Sequence, residues 1–196
     1  MPRVVDYVLL AVASILIIPL FLASAVLVWI SVGRPILFIQ DRGGFQNRVF
    51  KLYKFRTMTD HRDREGNLLP DAQRITRIGA LLRATSLDEL PSMLNLVRGD
   101  IRLVGPRPFI AQYLPLYSLE QRRRHEVLPG VTGWAQVNGR NALTWEEKFA
   151  LDVWYVENRS FRLDVRILWM TLRKVLAQDG ISASGDTTMP VFEGSK

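Results

Sequence analysis

TSLDELPSMLNLVRGDIRLVGPRP, residues 85–108, decides how the rest of the chain is read. Asp88 and Glu89 are adjacent carboxylates at a helix start. Ser86 with Glu89 three residues on fits a capping box. Pro91 favours a later start, because a residue without an N–H is tolerated only in the first turn. Asp88 is therefore the preferred N-cap, with Leu90, Met93, Leu94 and Val97 as the buried stripe at helical spacing. Gly99 ends the helix by taking a left-handed conformation. Either start places both carboxylates at the positive end of the helix dipole, which favours their ionised forms. Acidic first turns are common, so the pair taken alone reads first as caps and only second as chemistry. Ile101–Val104 is a short strand running into Gly105-Pro106-Arg107-Pro108. Prolines fix that turn and present one planar guanidinium, a shape suited to phosphate oxygens.

Upstream, Arg74–Ala84 is a basic amphipathic helix with Ile75, Ile78, Leu81 and Leu82 on one side. Such a helix packs on a core or lies on a membrane surface. Arg83 is close enough in sequence to Asp88 to face the same pocket. Asp60–Gln73, with Gly66-Asn67 and Pro70, is a loop. Ile36–Gln40 and Val49–Thr57 are strands of a hairpin about Gly43-Gly44. Lys54 and Arg56 share one strand face, as solvated surface or as a phosphate site. Tyr7–Val32 carries no charge and is long enough to cross a bilayer, for which about 20 residues suffice. Pro19 kinks it near the middle. A straight span and a helix that bends and leaves by the face it entered are both open. Arg3 and Arg34 flank both ends positively, which suits two cytoplasmic ends.

Downstream, Ser118 with Gln121 is a second capping-box pair, ahead of Arg122-Arg123-Arg124-His125. That cluster reads as solvated surface or a lipid-headgroup contact. Residues 129–140, PGVTGWAQVNGR, combine glycines with amides and Arg140 as a candidate phosphate cradle. Thr144 with Glu147 caps a helix through Glu157 with Trp145, Phe149 and Val153 on its stripe. Phe161–Gln178 is the last helix, with Leu163, Ile167, Met170 and Val175 inward and Gly180 ending it. Residues 182–196 read as a flexible tail.

At 196 residues and 48% hydrophobic content the chain supports a real core and is no disordered segment. With no cysteine and two histidines, disulfides, thiol nucleophiles and zinc–cysteine sites are excluded. A metal here would sit on oxygen ligands, as magnesium or manganese does. The net charge of +7 lies beyond the first apolar stretch and suits phosphate-rich partners.

Five markers in order, Lys54-Phe55-Arg56-Thr57-Met58, Ser86-Leu87-Asp88-Glu89-Leu90-Pro91, Gly105-Pro106-Arg107-Pro108, Pro129-Gly130 with Thr132-Gly133, and Gln136-Val137-Asn138-Gly139-Arg140, carry a resemblance. From the anchor through about Ser182 the chain resembles the small monotopic phosphoglycosyl transferases of the bacterial sugar transferase family. Larger relatives carry extra N-terminal membrane helices, and this chain looks like the minimal form. The resemblance implies an α/β fold, helix-rich with a small β-hairpin or sheet and interfacial amphipathic helices. It implies that residues 1–33 form a membrane-embedded re-entrant helix bent at Pro19, and 34–181 a catalytic domain on the cytoplasmic face of the bacterial inner membrane. The family often has Ser-Pro at the bend. Here the pair is Ile18-Pro19, with Ser14 one turn earlier as a stand-in hydroxyl.

The implied reaction moves a sugar-1-phosphate, expected to be of N-acetylated hexosamine type, from a UDP-sugar to polyprenol phosphate with release of UMP. By the same resemblance Asp88 is the nucleophile and Glu89 binds Mg2+. Lys54, Arg83, Arg107 and Arg140 match basic positions around the phosphates. The chemistry is coherent: one carboxylate does not easily serve as nucleophile and metal ligand together, and attack on a diphosphate needs cationic screening. The partners implied are the UDP-sugar, polyprenol phosphate and membrane lipids, and no nucleic acid is expected. The competing reading is a membrane-anchored basic module that binds anionic lipid or nucleic acid without catalysis, which leaves Asp88 and Glu89 without a task.

Overall fold

The computed structural model of the chain describes residues 1–139, 142–177 and 191–194. Its first element, α1 (Arg3–Val32), is an apolar helix that continues through Pro19. It is long and apolar enough to cross a membrane. Val12, Ile15, Leu16 and Leu22 along its middle are exposed, whereas both ends are held against the rest of the chain. Near the start, buried Asp6 pairs with Arg102. Near the end, Val28 packs on Phe55 and Leu82, joined by Phe21, Ala25 and Val32. The Ser14 hydroxyl bonds the Ala11 carbonyl at 2.6 Å, so it does not serve the carbonyl that Pro19 leaves free.

β1 (Leu37–Gly43) and β2 (Val49–Phe55) form the expected antiparallel hairpin, with Phe38 opposite Lys54. β1 runs on through Gly43, and the chain reverses at Phe45–Asn47 instead of Gly43-Gly44. Gln46 and Asn47 there take positive φ. Beyond the loop, the single helix expected from Arg74 is two pieces, α2 (Asp71–Arg74) and α3 (Arg77–Ala84). The break comes at Thr76, whose side chain accepts from the Gly79 N–H at 2.9 Å and caps α3. Ile75 lies outside the helix and bridges Met58, and Leu81 is exposed.

The central stretch corrects the sequence reading twice. Leu87–Ser92 is a 3-10 segment, and only Met93–Arg98 (α4) is α-helical. Ser86 sits at the start in a left-handed conformation with φ 58°, and no side chain caps the segment. Neither the Asp88 cap nor the Ser86–Glu89 box forms. The Glu89 carboxylate instead meets two cations, whose charge-assisted bonds outcompete a backbone N–H. The buried residues are Pro91, Ser92, Asn95 and Leu96, while Leu94 and Val97 are exposed. Asn95 sets that register: it accepts from the Tyr53 N–H and donates to the Lys51 carbonyl, clamping α4 to β2. Gly99 ends α4 at φ 83°, as expected.

β3 (Arg102–Val104) pairs in parallel with β4 (Gly130–Thr132). The pairing is close enough that a Cβ on Gly130 would meet the Gly105 nitrogen at 2.1 Å. Gly133 is pressed against the Gly105 carbonyl in the same way. These glycines therefore serve close backbone approach. α5 (Leu119–Arg122) and α7 (Trp145–Asn158) carry both expected capping boxes. α6 (Trp134–Val137) and α8 (Phe161–Ala177) complete the helices among the described residues. Val104, Val127, Val137, Tyr155, Leu163 and Ile167 form the main core. On its other side α8 exposes Phe161, Val165, Trp169, Leu172 and Val175, so Val175 is not inward. The expected stop at Gly180 lies outside the described residues. Of the stretch expected to be a flexible tail, 191–194 are described, and Phe192 there is buried among Tyr113, Tyr117, Trp145 and Phe149. The fold is helix-rich with two small sheets among the described residues.

Candidate active site

Four elements meet at the Asp88-Glu89 pair. β2 brings Lys54, the end of α3 brings Arg83, the 3-10 segment brings both carboxylates, and the turn after β3 brings Arg107. Glu89 Oε1 lies 2.8 Å from Lys54 Nζ and 2.5 Å from Arg107 Nη2. Its Oε2 accepts only a long bond, 3.4 Å, from Arg107 Nη1. Arg83 Nε donates to Thr57 Oγ1 at 2.9 Å, which fixes that guanidinium across from the pair. Asp88 accepts no hydrogen bond and makes no ion pair with any described residue. Five of the six sequence-derived positions thus come together. The sixth, Arg140, lies outside the described residues.

The two carboxylates are driven apart electrostatically. Burial and the neighbouring Glu89 charge raise the Asp88 carboxyl to about 6, against the opposing pull of Lys54, Arg83 and Arg107. Burial alone would raise Glu89 too, but Arg107 and Lys54 outweigh it and hold Glu89 well below the usual carboxylate range. Glu89 in turn raises Arg107. Burial lowers Lys54, although Glu89 opposes the shift. The helix-dipole argument does not apply, since α4 begins only at Met93 and spans six residues. Asp88 is the acid that titrates near neutrality and Glu89 the acid that stays charged, a division set by ion pairing.

A cleft at the site is lined by Arg42, Lys54, Glu89, Ser92, Arg107 and Val131. Arg42 and Thr57 are contributors that sequence reasoning missed. Arg42 stands in a strand with no motif, and Thr57, although inside the Lys54–Met58 marker, has no role assigned from sequence; the bridge from Arg42 to Ile110 and the bond from Arg83 to Thr57 bring them in. The Arg122–His125 cluster behaves unlike the solvated patch expected. Arg124 and His125 are buried, Arg122 is exposed, and half-buried Arg123 pairs with Glu120 and Glu157. Gln136, in the expected cradle, has both amide atoms buried without a partner among the described residues. A larger cavity of about 430 Å³ lies elsewhere, between the start of α1, β3 and the α7–α8 corner.

No group of three or more histidine, cysteine, aspartate or glutamate side chains converges among the described residues. Magnesium nevertheless binds commonly through one or two carboxylates plus substrate phosphates. Glu89 Oε2, only weakly engaged, fits that donor set together with substrate phosphates, and Asp88 beside it has no bonded partner among the described residues. The arrangement can receive a phosphate-bearing anion between Lys54, Arg83 and Arg107 and present an ionisable carboxylate to it.

The profile of the family described as bacterial sugar transferase matches residues 1–178. The chain is 55% identical over 176 residues to EpsL of Bacillus subtilis, described as an uncharacterised sugar transferase, covering 90% of this chain and 87% of that one. It is 38% identical to a UDP-glucose:undecaprenyl-phosphate glucose-1-phosphate transferase of Caulobacter vibrioides, covering 90% of this chain and 70% of the relative. It is 37% identical to a UDP-N-acetylgalactosamine-undecaprenyl-phosphate N-acetylgalactosaminephosphotransferase of Aeromonas hydrophila, where 91% of this chain spans 44% of the relative. With a match over nearly its whole length and the carboxylate pair set among cations, the chain belongs to the bacterial sugar transferase family.

Proposed function

We propose that this protein transfers a sugar-1-phosphate from a UDP-sugar, of N-acetylated hexosamine type, to polyprenol phosphate through a covalent aspartyl intermediate. The observation that carries the reading is the division of labour in the carboxylate pair: Glu89 is clamped by Lys54 and Arg107, while Asp88 beside it has no bonded partner among the described residues. The relatives' names support the general reaction, since two of them act on a UDP-sugar and undecaprenyl phosphate. In the first displacement an ionised Asp88 oxygen bonds to the sugar-bearing phosphorus, the bond from that phosphorus to the bridging oxygen breaks, and UMP leaves with the electron pair. In the second, an oxygen of polyprenol phosphate bonds to the same phosphorus and the aspartyl oxygen leaves. The acceptor is already an anion, so no general base is needed. Lys54, Arg83 and Arg107 supply fixed positive charge where negative charge accumulates. Mg2+, held by Glu89 with Asp88 beside it, would supply further charge neutralisation on the diphosphate when bound.

The proposed placement is the cytoplasmic face of the bacterial inner membrane, with α1 entering and leaving by that face. A helix of 30 residues would reach about 45 Å if straight, more than the hydrocarbon core. A spanning helix puts its ends on opposite sides. Here Asp6 at one end pairs with Arg102, and Val28 at the other packs on Phe55 and Leu82, all residues of one polar domain. That supports the re-entrant path. The exposed apolar stripe of α8 supports an interfacial helix in contact with membrane lipids. A binding-only module would leave Asp88, a half-buried carboxylate with no partner among the described residues, without a task.

The test is UMP release from a panel of UDP-sugars by the purified protein with polyprenol phosphate and Mg2+. Release that depends on both the lipid acceptor and Asp88 is the expected result. Release unchanged in Asp88→Asn would remove the nucleophile from the account.

A further inference from the structure

Pro106-Arg107-Pro108-Phe109 is held through its carbonyls, because two of its four residues have no N–H to donate. Pro106 O accepts from the Gly130 N–H at 3.0 Å and Phe109 O from the Gly43 N–H at 3.0 Å. The two carbonyls between them accept from side chains. Arg124 Nη2 donates to Arg107 O at 2.5 Å, and Arg42 Nη1 donates to Pro108 O at 3.1 Å. Every acceptor of the segment is thereby satisfied, and the residue at its centre is the one whose guanidinium meets Glu89.

Arg124 is 2% exposed, one of the most completely buried large side chains in the molecule. Its Nε and Nη2 donate to the same oxygen of Asp152 on α7, at 3.0 and 2.7 Å. Its guanidinium lies 4.2 Å from the centre of the Phe109 ring, with Phe149 and Tyr117 at its other sides. Buried ion pairs are poor stabilisers, since desolvation offsets their attraction and apolar residues of similar volume do as well. What an apolar substitute lacks is reach. A planar fork holds the carboxylate through two nitrogens at a fixed angle to the backbone carbonyl, and a lysine's ammonium on its flexible stem keeps neither the second nitrogen nor the angle.

We propose that Arg124, locked by Asp152, is a positioning residue for the transfer reaction. It fixes the Arg107 carbonyl and so the direction in which the Arg107 side chain leaves the turn toward Glu89 and the donor phosphates. Arg42 does the same for the next carbonyl. The inference rests on the transfer reading above for its kinetic consequence, but its geometric content is testable without substrate.

The experiment is a pair of double-mutant cycles. Arg124→Lys, Arg107→Ala and the double variant are compared in kcat/KM for UMP release. Arg124→Lys should lose about 10- to 100-fold, the scale of a misplaced catalytic contact. Added to Arg107→Ala it should cost less than about 3-fold, because there is no guanidinium left to misplace. The second cycle pairs Arg124→Lys with Glu89→Gln and reads Tm in detergent. The change in Tm from Glu89→Gln should shrink when Arg124 is lysine, because the Arg107–Glu89 pair is already weakened. If Arg124→Lys does not fold, Arg42→Lys carries both cycles. Additive effects in both would overturn the positioning role and reduce Arg124 to a core residue. A folded but inactive wild type with a coupled Tm cycle would overturn the transfer reading and leave the positioning standing.

Discussion

Replacing Asp88 by asparagine should abolish transfer and stabilise the protein. The native carboxyl is raised from 3.8 to about 6, so the native state holds this proton more tightly than the unfolded chain does. A group raised in this way contributes stability that is fully present below pH 3.8 and lost as pH rises through about 6. Each pKa unit corresponds to about 1.4 kcal/mol, so ionised Asp88 costs the native state about 3 kcal/mol above neutrality. Asparagine has nearly the same shape and no charge, and Asp88 has no hydrogen-bond partner among the described residues to lose. At pH 8 the variant should gain about 3 kcal/mol, or about 6–12 °C in Tm for a chain of this size. At pH 4 the gain should nearly vanish, because wild-type Asp88 is then protonated in the native state. The assay is thermal unfolding of both proteins in detergent with EDTA from pH 4 to 8, which keeps divalent cations off the site. Glu89 stays charged in the native state of both proteins over this range, so the difference reports Asp88. Transfer should fall by at least about 10³-fold in the variant. A variant equally stable or less stable at pH 8 would refute the electrostatic reasoning, whatever its activity.

The remaining predictions address separate parts of the structure. The pH–rate profile for UMP release should have its acid limb at or below about 6, where Asp88 loses its proton, and a limb above pH 7.5 would assign the nucleophile elsewhere. Lys54→Met removes one of the two cations on Glu89 and should lower stability by about 1–3 kcal/mol in denaturant unfolding at pH 7, with the loss shrinking as Glu89 is protonated. Phe192→Ala should destabilise by about 3–5 kcal/mol in the same assay if the C-terminal segment is docked in the aromatic cluster as described, and a change below 0.5 would detach it. Since the chain has no native cysteine, Pro2→Cys and Arg34→Cys can be labelled singly in right-side-out cells. Both should be protected from an impermeant thiol reagent outside, and labelling of the first from outside would rule out the re-entrant path.

Much of the fold was legible where local chemistry is decisive. The hairpin strands, both capping boxes, the Gly99 stop and the Phe149 and Val153 stripe of α7 follow from pattern and propensity alone. The failures came where a distant partner overrides the local rule. Glu89 abandons its cap for Lys54 and Arg107, and Asn95 takes the buried position that periodicity assigned to Leu94, because β2 offers it two backbone partners. Thr76 caps a helix that apolar spacing alone began too early. Of the candidate site, the acids, Lys54 and Arg107 stand in motifs, and Arg83 was placed by its nearness to Asp88. Arg42 and Arg124 were not visible, because a charged residue in a strand or a basic run gives no sign of burial, and Thr57 lay in a motif without a sign of its bond to Arg83. The close backbone packing at glycines 130 and 133 was hidden for a related reason: it demands the same residue as cradling a phosphate does.

The most direct test of the central claim is intact-mass spectrometry of the purified protein incubated with Mg2+ and a panel of UDP-sugars, without lipid acceptor. The account predicts an added mass of one sugar-phosphate, mapped to Asp88 and discharged on adding polyprenol phosphate, and the donor that gives it names the sugar. UMP release that starts only when polyprenol phosphate is present, with no adduct before it under rapid quench, would contradict the covalent route and put direct transfer in its place.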